Sequence, residues 1–149
     1  KNMTRFMMPL SQSVDLVLYA LINGNDGEIY VRKTPAATID ILAEALVELF
    51  DYKRGIEEIG IRPGEKMHET LISCEETLRA EDCGDYYKIL PEVPRMDYRE
   101  YYFKGRKNNT LPEEGYISDN TKRLSLKEMK DILLSLREIQ EELKNFKNK

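Results

Sequence analysis

The sequence predicts an α/β fold followed by a helical C-terminal extension, and three observations lead to that prediction. In the first half of the 149-residue chain, apolar residues at helical spacing alternate with short runs rich in β-branched and aromatic residues. An irregular stretch follows, and the chain ends in a helix pattern that a capping box opens. With 41% hydrophobic residues, a chain of this length can bury a core without disulfides or a metal.

Local signals predict four elements in the first fifty residues. Thr38 is a good N-cap for a helix whose apolar residues, from Ile41 to Leu49, fall at helical spacing. An earlier helix is stopped by the turn-forming run Asn-Gly-Asn-Asp-Gly at 23–27. The predicted elements are, in order, an extended segment Thr4–Met8, a helix Ser11–Ile22, a strand Glu28–Arg32 and a helix from Thr38 to Phe50.

The second half of the chain mixes weaker signals with one strong helix start. Ser125 and Glu128 form a capping box, and an apolar stripe from Leu126 to Phe146 predicts a final helix. Before this helix, we predict a strand Ile56–Ile61, a turn Arg62–Glu65, a helix Lys66–Ser73 with a further turn at Glu75–Arg79, an extended segment Tyr86–Leu90, and an irregular stretch with Tyr98, Tyr101, Tyr102 and Phe103.

Composition and charge exclude several classes of function. The chain carries 27 acidic and 23 basic residues, a net charge of −4, which argues against a nucleic-acid binder that relies on bulk positive charge. Its longest strongly apolar stretch, Val14–Ile22, is far shorter than the roughly 20 residues of a membrane span, so no membrane insertion is expected. Two cysteines without a disulfide or metal-ligand pattern favour a reduced, cytoplasmic setting.

The motifs of common enzyme classes are missing from this sequence. It has no GxGxxG turn, no GxxxxGK[ST] loop, no GxSxG elbow, and no tyrosine followed four residues later by lysine. With a single histidine, His68, neither an HExxH metal site nor a Ser-His-Asp set can be proposed. We therefore expect no catalytic residue, no metal ligand and no bound cofactor in this chain.

The turn Arg62–Glu65 is the first candidate for a binding site. Pro63 and Gly64 form a tight bend after a predicted strand, and ligands of α/β proteins bind at the ends of strands. The Arg62 guanidinium offers a planar fork of donors to phosphate oxygens, and the Glu65 carboxylate can accept hydrogen bonds from ribose hydroxyls. The alternative, which the spacing alone favours, is a surface turn whose charged side chains are solvated or paired.

Arg5 is the second candidate, because it lies between apolar residues on a predicted extended segment. Side chains alternate between the two faces of a strand, so Arg5 can point away from the core towards a ligand. The alternative is an edge-strand arginine in water. His68 is expected one turn into a helix, as a packed or hydrogen-bonded residue.

Three segments resemble the C-terminal half of the nucleotide-sugar dehydratases of polysaccharide biosynthesis, which are extended short-chain dehydrogenase/reductases. These segments are Met3–Val17, Gly27–Val31 and Gly60–Leu71. The tail segments Glu81–Tyr87 and Tyr116–Thr121 are similar to one subgroup, the capsular UDP-N-acetylglucosamine 4,6-dehydratase/5-epimerases. The likeness covers nearly the whole chain.

The resemblance implies the substrate-binding C-terminal part of such an enzyme, without most of its Rossmann domain and inactive alone. NADP and the catalytic groups would belong to the missing Rossmann half. The start at Lys1, without an initiator methionine, leads us to expect a piece of a longer protein. On this chain, the resemblance places Arg5 and Arg62 on the UDP diphosphate and Glu65 at the ribose, but it gives His68 and Ser118–Thr121 no role.

Further expectations concern organisation and partners. We predict a nucleotide-sugar-binding α/β portion at residues 1–90 and a family-specific extension at residues 91–149. The alternative function is an oligomerisation module, in which the stripe Leu126–Phe146 and the tyrosines at 98–102 make subunit contacts of a homo-oligomer. The stripe can instead cover the chain's own core. The same portion of a UDP-sugar 4-epimerase or a retaining dehydratase also fits, and apolar surface that meets the missing half is expected to be exposed.

Overall fold

The computed structural model describes residues 1–92 and 111–147 of the chain. The predicted aromatic stretch Tyr98–Phe103 lies outside these residues. The elements of the described part are, in order, β1 (Thr4–Phe6), α1 (Leu10–Asn23), β2 (Ile29–Arg32), β3 (Ala36–Thr38), α2 (Ile39–Leu49), β4 (Thr70–Ile72), α3 (Cys74–Thr77), β5 (Ala80–Cys83), β6 (Tyr86–Ile89), β7 (Tyr116–Ile117), α4 (Leu126–Ser135) and α5 (Arg137–Lys147).

The strands form three small antiparallel sheets. β1 pairs with β3, β6 lies between β2 and β5, and β4 pairs with β7. The last pairing brings the C-terminal tail back to the first half of the chain, because Ile117 of β7 lies opposite Thr70 of β4. The predicted mixed α/β class is therefore confirmed, and the tail contributes a strand to it.

Two clusters of buried side chains hold these elements together. The first includes Ile72 of β4 and Ile89 of β6, which are almost fully buried, and Tyr116 of β7. The second lies between α2 and α4, where Met129 and Leu133 of α4 are buried. This part of the predicted apolar stripe covers the chain's own core, so it is not available for subunit contacts.

The predicted N-caps of α2 and α4 are confirmed. Thr38 accepts the Ile41 N–H at 3.2 Å and begins α2. At the start of α4, Ser125 accepts the Glu128 N–H and the Glu128 carboxylate accepts the Ser125 N–H, which is a complete capping box. Each bond satisfies a donor that the first helical turn leaves without an intrahelical partner.

Three predicted elements are wrong. Residues 56–61 are all exposed and pair with no other strand of the described part, so they lack the ladder that a strand requires. The predicted helix Lys66–Ser73 contains β4 instead, because Thr70–Ile72 pair with β7 of the distant tail. The final helix is divided into α4 and α5 at Leu136, whose backbone is extended (φ −83°, ψ 125°).

The apolar face of α1 is exposed, as the sequence leads us to expect for part of the surface. No residue of α1 is buried, and Leu10, Leu21 and Ile22 are 78%, 75% and 81% exposed. Among the helices of residues 1–92 and 111–147, none is both long enough and apolar enough to cross a membrane.

Candidate functional site

The predicted turn at Arg62 forms as a type II β-turn. The Glu65 N–H donates to the Arg62 carbonyl oxygen at 3.1 Å, and Gly64 has a φ of +83°. Proline at the second position and a left-handed glycine at the third are the residues that a type II turn favours. The Glu65 side chain folds back, and its Oε2 accepts the Arg62 N–H at 3.1 Å. Hydrogen bonds therefore close the turn from both ends, while Arg62 is exposed.

Arg5 lies in the middle of β1, and its side chain is only 23% exposed. Its Nη1 donates to the Thr4 carbonyl oxygen at 2.7 Å and to the Met67 carbonyl oxygen at 3.4 Å. Its Nη2 lies 3.8 Å from Glu65 Oε1, and its Nε lies 3.5 Å from Glu69 Oε1. Backbone carbonyls and two carboxylates therefore surround this guanidinium. Although β1 belongs to a two-stranded sheet, the Arg5 side chain does not extend into open water.

Glu65 connects the other two candidate residues, Arg5 and Arg62. One of its carboxylate oxygens faces the Arg5 guanidinium, and the other accepts the Arg62 backbone N–H. Within the described residues, no hydrogen bond or ion pair involves the Arg62 guanidinium, which leaves its donors to solvent. The structure thus brings Arg5 and Glu65 into contact and holds the Arg62 turn beside them.

An open cleft of about 550 Å³ adjoins this turn. Its lining includes Ile61, which precedes Arg62, and Met67, whose carbonyl oxygen contacts Arg5. Met3 and Ile39 line the same cleft. Its volume lies within the range of small-molecule sites, which is roughly 300–1,000 Å³.

A buried hydrogen-bond network joins β1 to the C-terminal tail next to Arg5. Thr4 Oγ1 lies 2.6 Å from Ser118 Oγ and 2.8 Å from His68 Nδ1. Ser118 Oγ also accepts the Glu69 N–H at 2.9 Å, and the Ser118 N–H donates to the Glu69 carbonyl oxygen at 2.8 Å. Thr4 and Ser118 are fully buried. Ser118 of the tail therefore contacts both β1, which carries Arg5, and the backbone of Glu69, whose carboxylate faces Arg5.

The network ends in charged groups at the surface. Asp119 Oδ1 lies 3.6 Å from His68 Nδ1 and accepts a hydrogen bond from the Arg123 guanidinium. His68 does not lie on a helix, so the predicted helical position is wrong; it stands just before β4, and its ring reaches Thr4.

Sequence reasoning missed part of this arrangement. It gave Ser118–Thr121 no role and did not consider Thr4. It weighed Glu69 only beside His68 in a metal or acid–base site, which it rejected, and it did not predict the contact of Glu69 with Arg5. The contact between Thr4 and Ser118 joins residues 114 positions apart, so no local spacing could reveal it. The available signal was the resemblance of both segments to one family.

The arrangement places hydrogen-bond donors beside acceptors. Two guanidinium groups lie on neighbouring segments, and the site offers carboxylate acceptors to hydroxyl groups. Among the described residues, no group of three or more histidine, cysteine, aspartate and glutamate side chains lies close enough to hold a metal ion.

Most of the chain matches known protein families. Residues 1–91 match the family described as "Polysaccharide biosynthesis protein", and residues 95–140 match "Polysaccharide biosynthesis protein C-terminal". The chain belongs to this family. The second match includes Ser118 and Asp119, so the tail that contacts Thr4 is itself a region that the family describes.

Individual relatives of this family member are longer than the chain. It is 51% identical over 144 residues to a protein named "UDP-glucose 4-epimerase" from Rickettsia massiliae, and 50% identical to one of the same name from Rickettsia typhi. The match covers 97% of this chain but 42% of each relative. A solved structure, "X-ray structure of Pen from Bacillus thuringiensis", superposes with a TM-score of 0.72 at 30% identity, over 91% of this chain and 38% of that one.

Proposed function

We infer that this chain binds the UDP part of a nucleotide sugar, as the substrate-binding portion of a polysaccharide-biosynthesis enzyme. The observation that carries the inference is the double contact of Glu65, which faces the Arg5 guanidinium and accepts the Arg62 N–H. Arg5 and Arg62 are assigned to the diphosphate and Glu65 to the ribose hydroxyls. These three residues do not line the cleft, but Ile61 and Met67 of its wall adjoin them, and we assign the rest of the ligand to it.

Charge distribution supports this assignment. The chain has a net charge of −4, so a general positive field does not attract a doubly charged diphosphate. A few placed guanidinium groups must supply the attraction, and the N–H fork of arginine matches phosphate oxygens in geometry. Arg62 is exposed and Arg5 lies in reach of the same carboxylate, so the two can meet one ligand.

The division of the chain belongs to the same proposal. Residues 1–90 carry Arg5, Arg62 and Glu65, and residues 91–149 form an extension that supports them through Ser118. The sequence has no GxGxxG turn, so the proposal assigns no cofactor contact to this chain. NADP, expected for the whole enzyme, would be held by residues outside it, together with the groups that perform the chemistry.

Two reactions fit a UDP-sugar site in this family. The names of the Rickettsia relatives favour a UDP-sugar 4-epimerase, and the tail segments that resemble the capsular enzymes favour a UDP-N-acetylglucosamine 4,6-dehydratase/5-epimerase. Incubating the full-length protein that contains this chain with UDP-glucose and UDP-N-acetylglucosamine distinguishes them. An epimerase gives a product of unchanged mass, whereas dehydration gives a product lighter by one water molecule.

Calorimetric titration of this chain with UDP tests the proposed site. A charge-assisted fork to phosphate contributes on the order of 1.5–3 kcal/mol, so we expect Arg62→Ala to weaken UDP binding by roughly 10–150-fold. Arg54→Ala is the matched control, because it removes the same charge from an exposed position outside the turn and should change affinity by about twofold at most. Equal affinities of the two variants would contradict the assignment, as would a wild-type chain that does not bind millimolar UDP.

A further inference from the structure

The motif Ser118–Thr121 is the part of the tail that the proposed function leaves without a role. Two of its residues anchor the tail to different places. Thr121 Oγ1 reaches the Thr34 carbonyl oxygen at 3.3 Å and Tyr116 Oη at 3.2 Å. Ser118 instead reaches β1 and the segment before β4, and both of these hold the Arg5 guanidinium.

The hydrogen bonds of the Ser118 hydroxyl all go to Thr4 or Glu69. Its hydroxyl oxygen accepts the Glu69 N–H, and its proton can go to Thr4 Oγ1 at 2.6 Å or to the Thr4 carbonyl oxygen at 3.2 Å. The same Thr4 carbonyl oxygen accepts Arg5 Nη1 at 2.7 Å. Because Ser118 is fully buried, water cannot replace these bonds if the hydroxyl is removed.

The network also sets the distance between Arg5 and its acidic neighbour. The Thr4 N–H donates to the Met67 carbonyl oxygen at 2.9 Å, which pairs β1 with residues 67–69 at one point. Ser118 pairs them at a second point, through Thr4 on one side and both backbone groups of Glu69 on the other. Two fixed points orient these segments against each other, and the Arg5 Nε to Glu69 Oε1 distance of 3.5 Å depends on that orientation.

We propose that Ser118 is a positioning residue for anion binding: through Thr4 and Glu69, the C-terminal tail holds the Arg5 guanidinium where a diphosphate meets it. This proposal rests on the proposed function, because the anion is the UDP diphosphate inferred above. Ser118 does not touch the ligand. Loss of its hydroxyl removes one of the two points that join β1 to residues 67–69. The Arg5 side chain is still present, but it is no longer held in the position where the diphosphate meets it.

A double-mutant cycle separates positioning from a general contribution to folding. We expect Ser118→Ala to weaken UDP binding roughly tenfold in the wild-type chain and to have no further effect in the Arg5→Ala chain. Tyr116→Phe is the matched control. It removes another buried tail hydroxyl, which bonds Thr34 rather than β1, and should leave UDP affinity within about twofold.

A second pair of variants protects the test against simple misfolding. Thr4→Val keeps the shape of the side chain but removes the hydroxyl that joins Ser118 to His68, whereas Thr4→Ser keeps that hydroxyl. Thr4→Val keeps the Ser118 bonds to the Thr4 carbonyl oxygen and the Glu69 N–H, so it should weaken UDP binding, but less than Ser118→Ala does. Thr4→Ser should bind UDP like the wild type. If Ser118→Ala weakens binding equally with and without Arg5, or if Thr4→Ser behaves like Thr4→Val, the proposal is overturned.

The NMR signal of the Arg5 Nε–H, recorded without ligand, distinguishes failure of this proposal from failure of the proposed function. It should shift and broaden in Ser118→Ala and stay in place in Tyr116→Phe. If the wild-type chain does not bind UDP, the proposed function fails and the anion role of Ser118 fails with it. If the chain binds UDP but the Nε–H signal is the same in Ser118→Ala as in wild type, only the positioning proposal is wrong.

Discussion

Arg5 and Arg62 are the same residue type at one candidate site, yet the structure treats them differently. Arg5 is 23% exposed and is surrounded by two backbone carbonyls and two carboxylates. Arg62 is exposed at a tight turn, and only its backbone is held, by Glu65. A buried network that includes the tail supports the first arginine, whereas a local four-residue turn supports the second.

Because of this difference, the free-energy cost of contacting a ligand differs between Arg5 and Arg62. In the proposed complex, the ligand contacts an Arg5 side chain that is already held in place, but it must compete with the carboxylates of Glu65 and Glu69. Arg62 has to be ordered by the ligand, which costs up to about 2 kcal/mol of side-chain entropy. In the proposed complex, Arg5 therefore meets the ligand from a fixed position, whereas the exposed Arg62 side chain takes its position on binding.

The tail that supports Arg5 and the turn that carries Arg62 each contain a glycine with a positive φ. The loss of stability when that glycine is replaced by alanine is the largest expected difference between the two. A Cβ at Gly115, which precedes β7, would lie 2.3 Å from the Ile72 carbonyl oxygen at a φ of +101°, so the β4–β7 pairing would have to open. Gly115→Ala should therefore lower the free energy of unfolding by about 3 kcal/mol or more. At Gly64 nothing lies within 4 Å of an added Cβ, and Gly64→Ala should cost only about 1–2 kcal/mol for its left-handed backbone. Urea denaturation measures both, and equal losses would contradict the comparison.

A smaller difference is expected when each arginine is removed. Arg5→Ala deletes a hydrogen bond to the Thr4 carbonyl oxygen and leaves two carboxylates without their cation, so the free energy of unfolding should fall by about 1 kcal/mol. Arg62→Ala removes an exposed side chain and should change it by less than about 0.5 kcal/mol. If thermal melting shows the reverse order, Arg5 is not the held residue.

The smallest effect concerns the pH dependence of the tail's anchorage. The hydrogen bond from Lys122, with those from Ser125, lowers the pKa of Glu128 at the start of α4 to about 2 from its usual 4.5. Because the folded pKa is lowered, the stabilisation is present above pH 4.5 and is lost as the pH falls towards 2. Between pH 4.5 and about pH 2, the melting temperature of Glu128→Gln should therefore fall less steeply than that of the wild type. An unchanged slope would show that the carboxylate does not stabilise α4.

The elements that sequence reasoning predicted correctly are those with local signals. Thr38 and Ser125 begin helices through side chains that bond residues three positions on, and Pro63-Gly64 makes the predicted turn. The predicted helix at Lys66–Ser73 was wrong because β4 depends on β7, a strand of the distant tail. The turn motif, the strand position and the family resemblance together pointed to Arg5, Arg62 and Glu65. The support for Arg5, however, comes from contacts that span 114 positions.

We propose that Arg5 and Arg62 serve one ligand site joined by Glu65. An NMR titration of the chain with UDP tests this proposal, with the Arg5 Nε–H and the backbone N–H groups of Gly64 and Glu65 as reporters. We expect all of these signals to move together and to give one dissociation constant. Signals of the turn that move while the Arg5 Nε–H does not, or that give a different constant, would contradict a shared site.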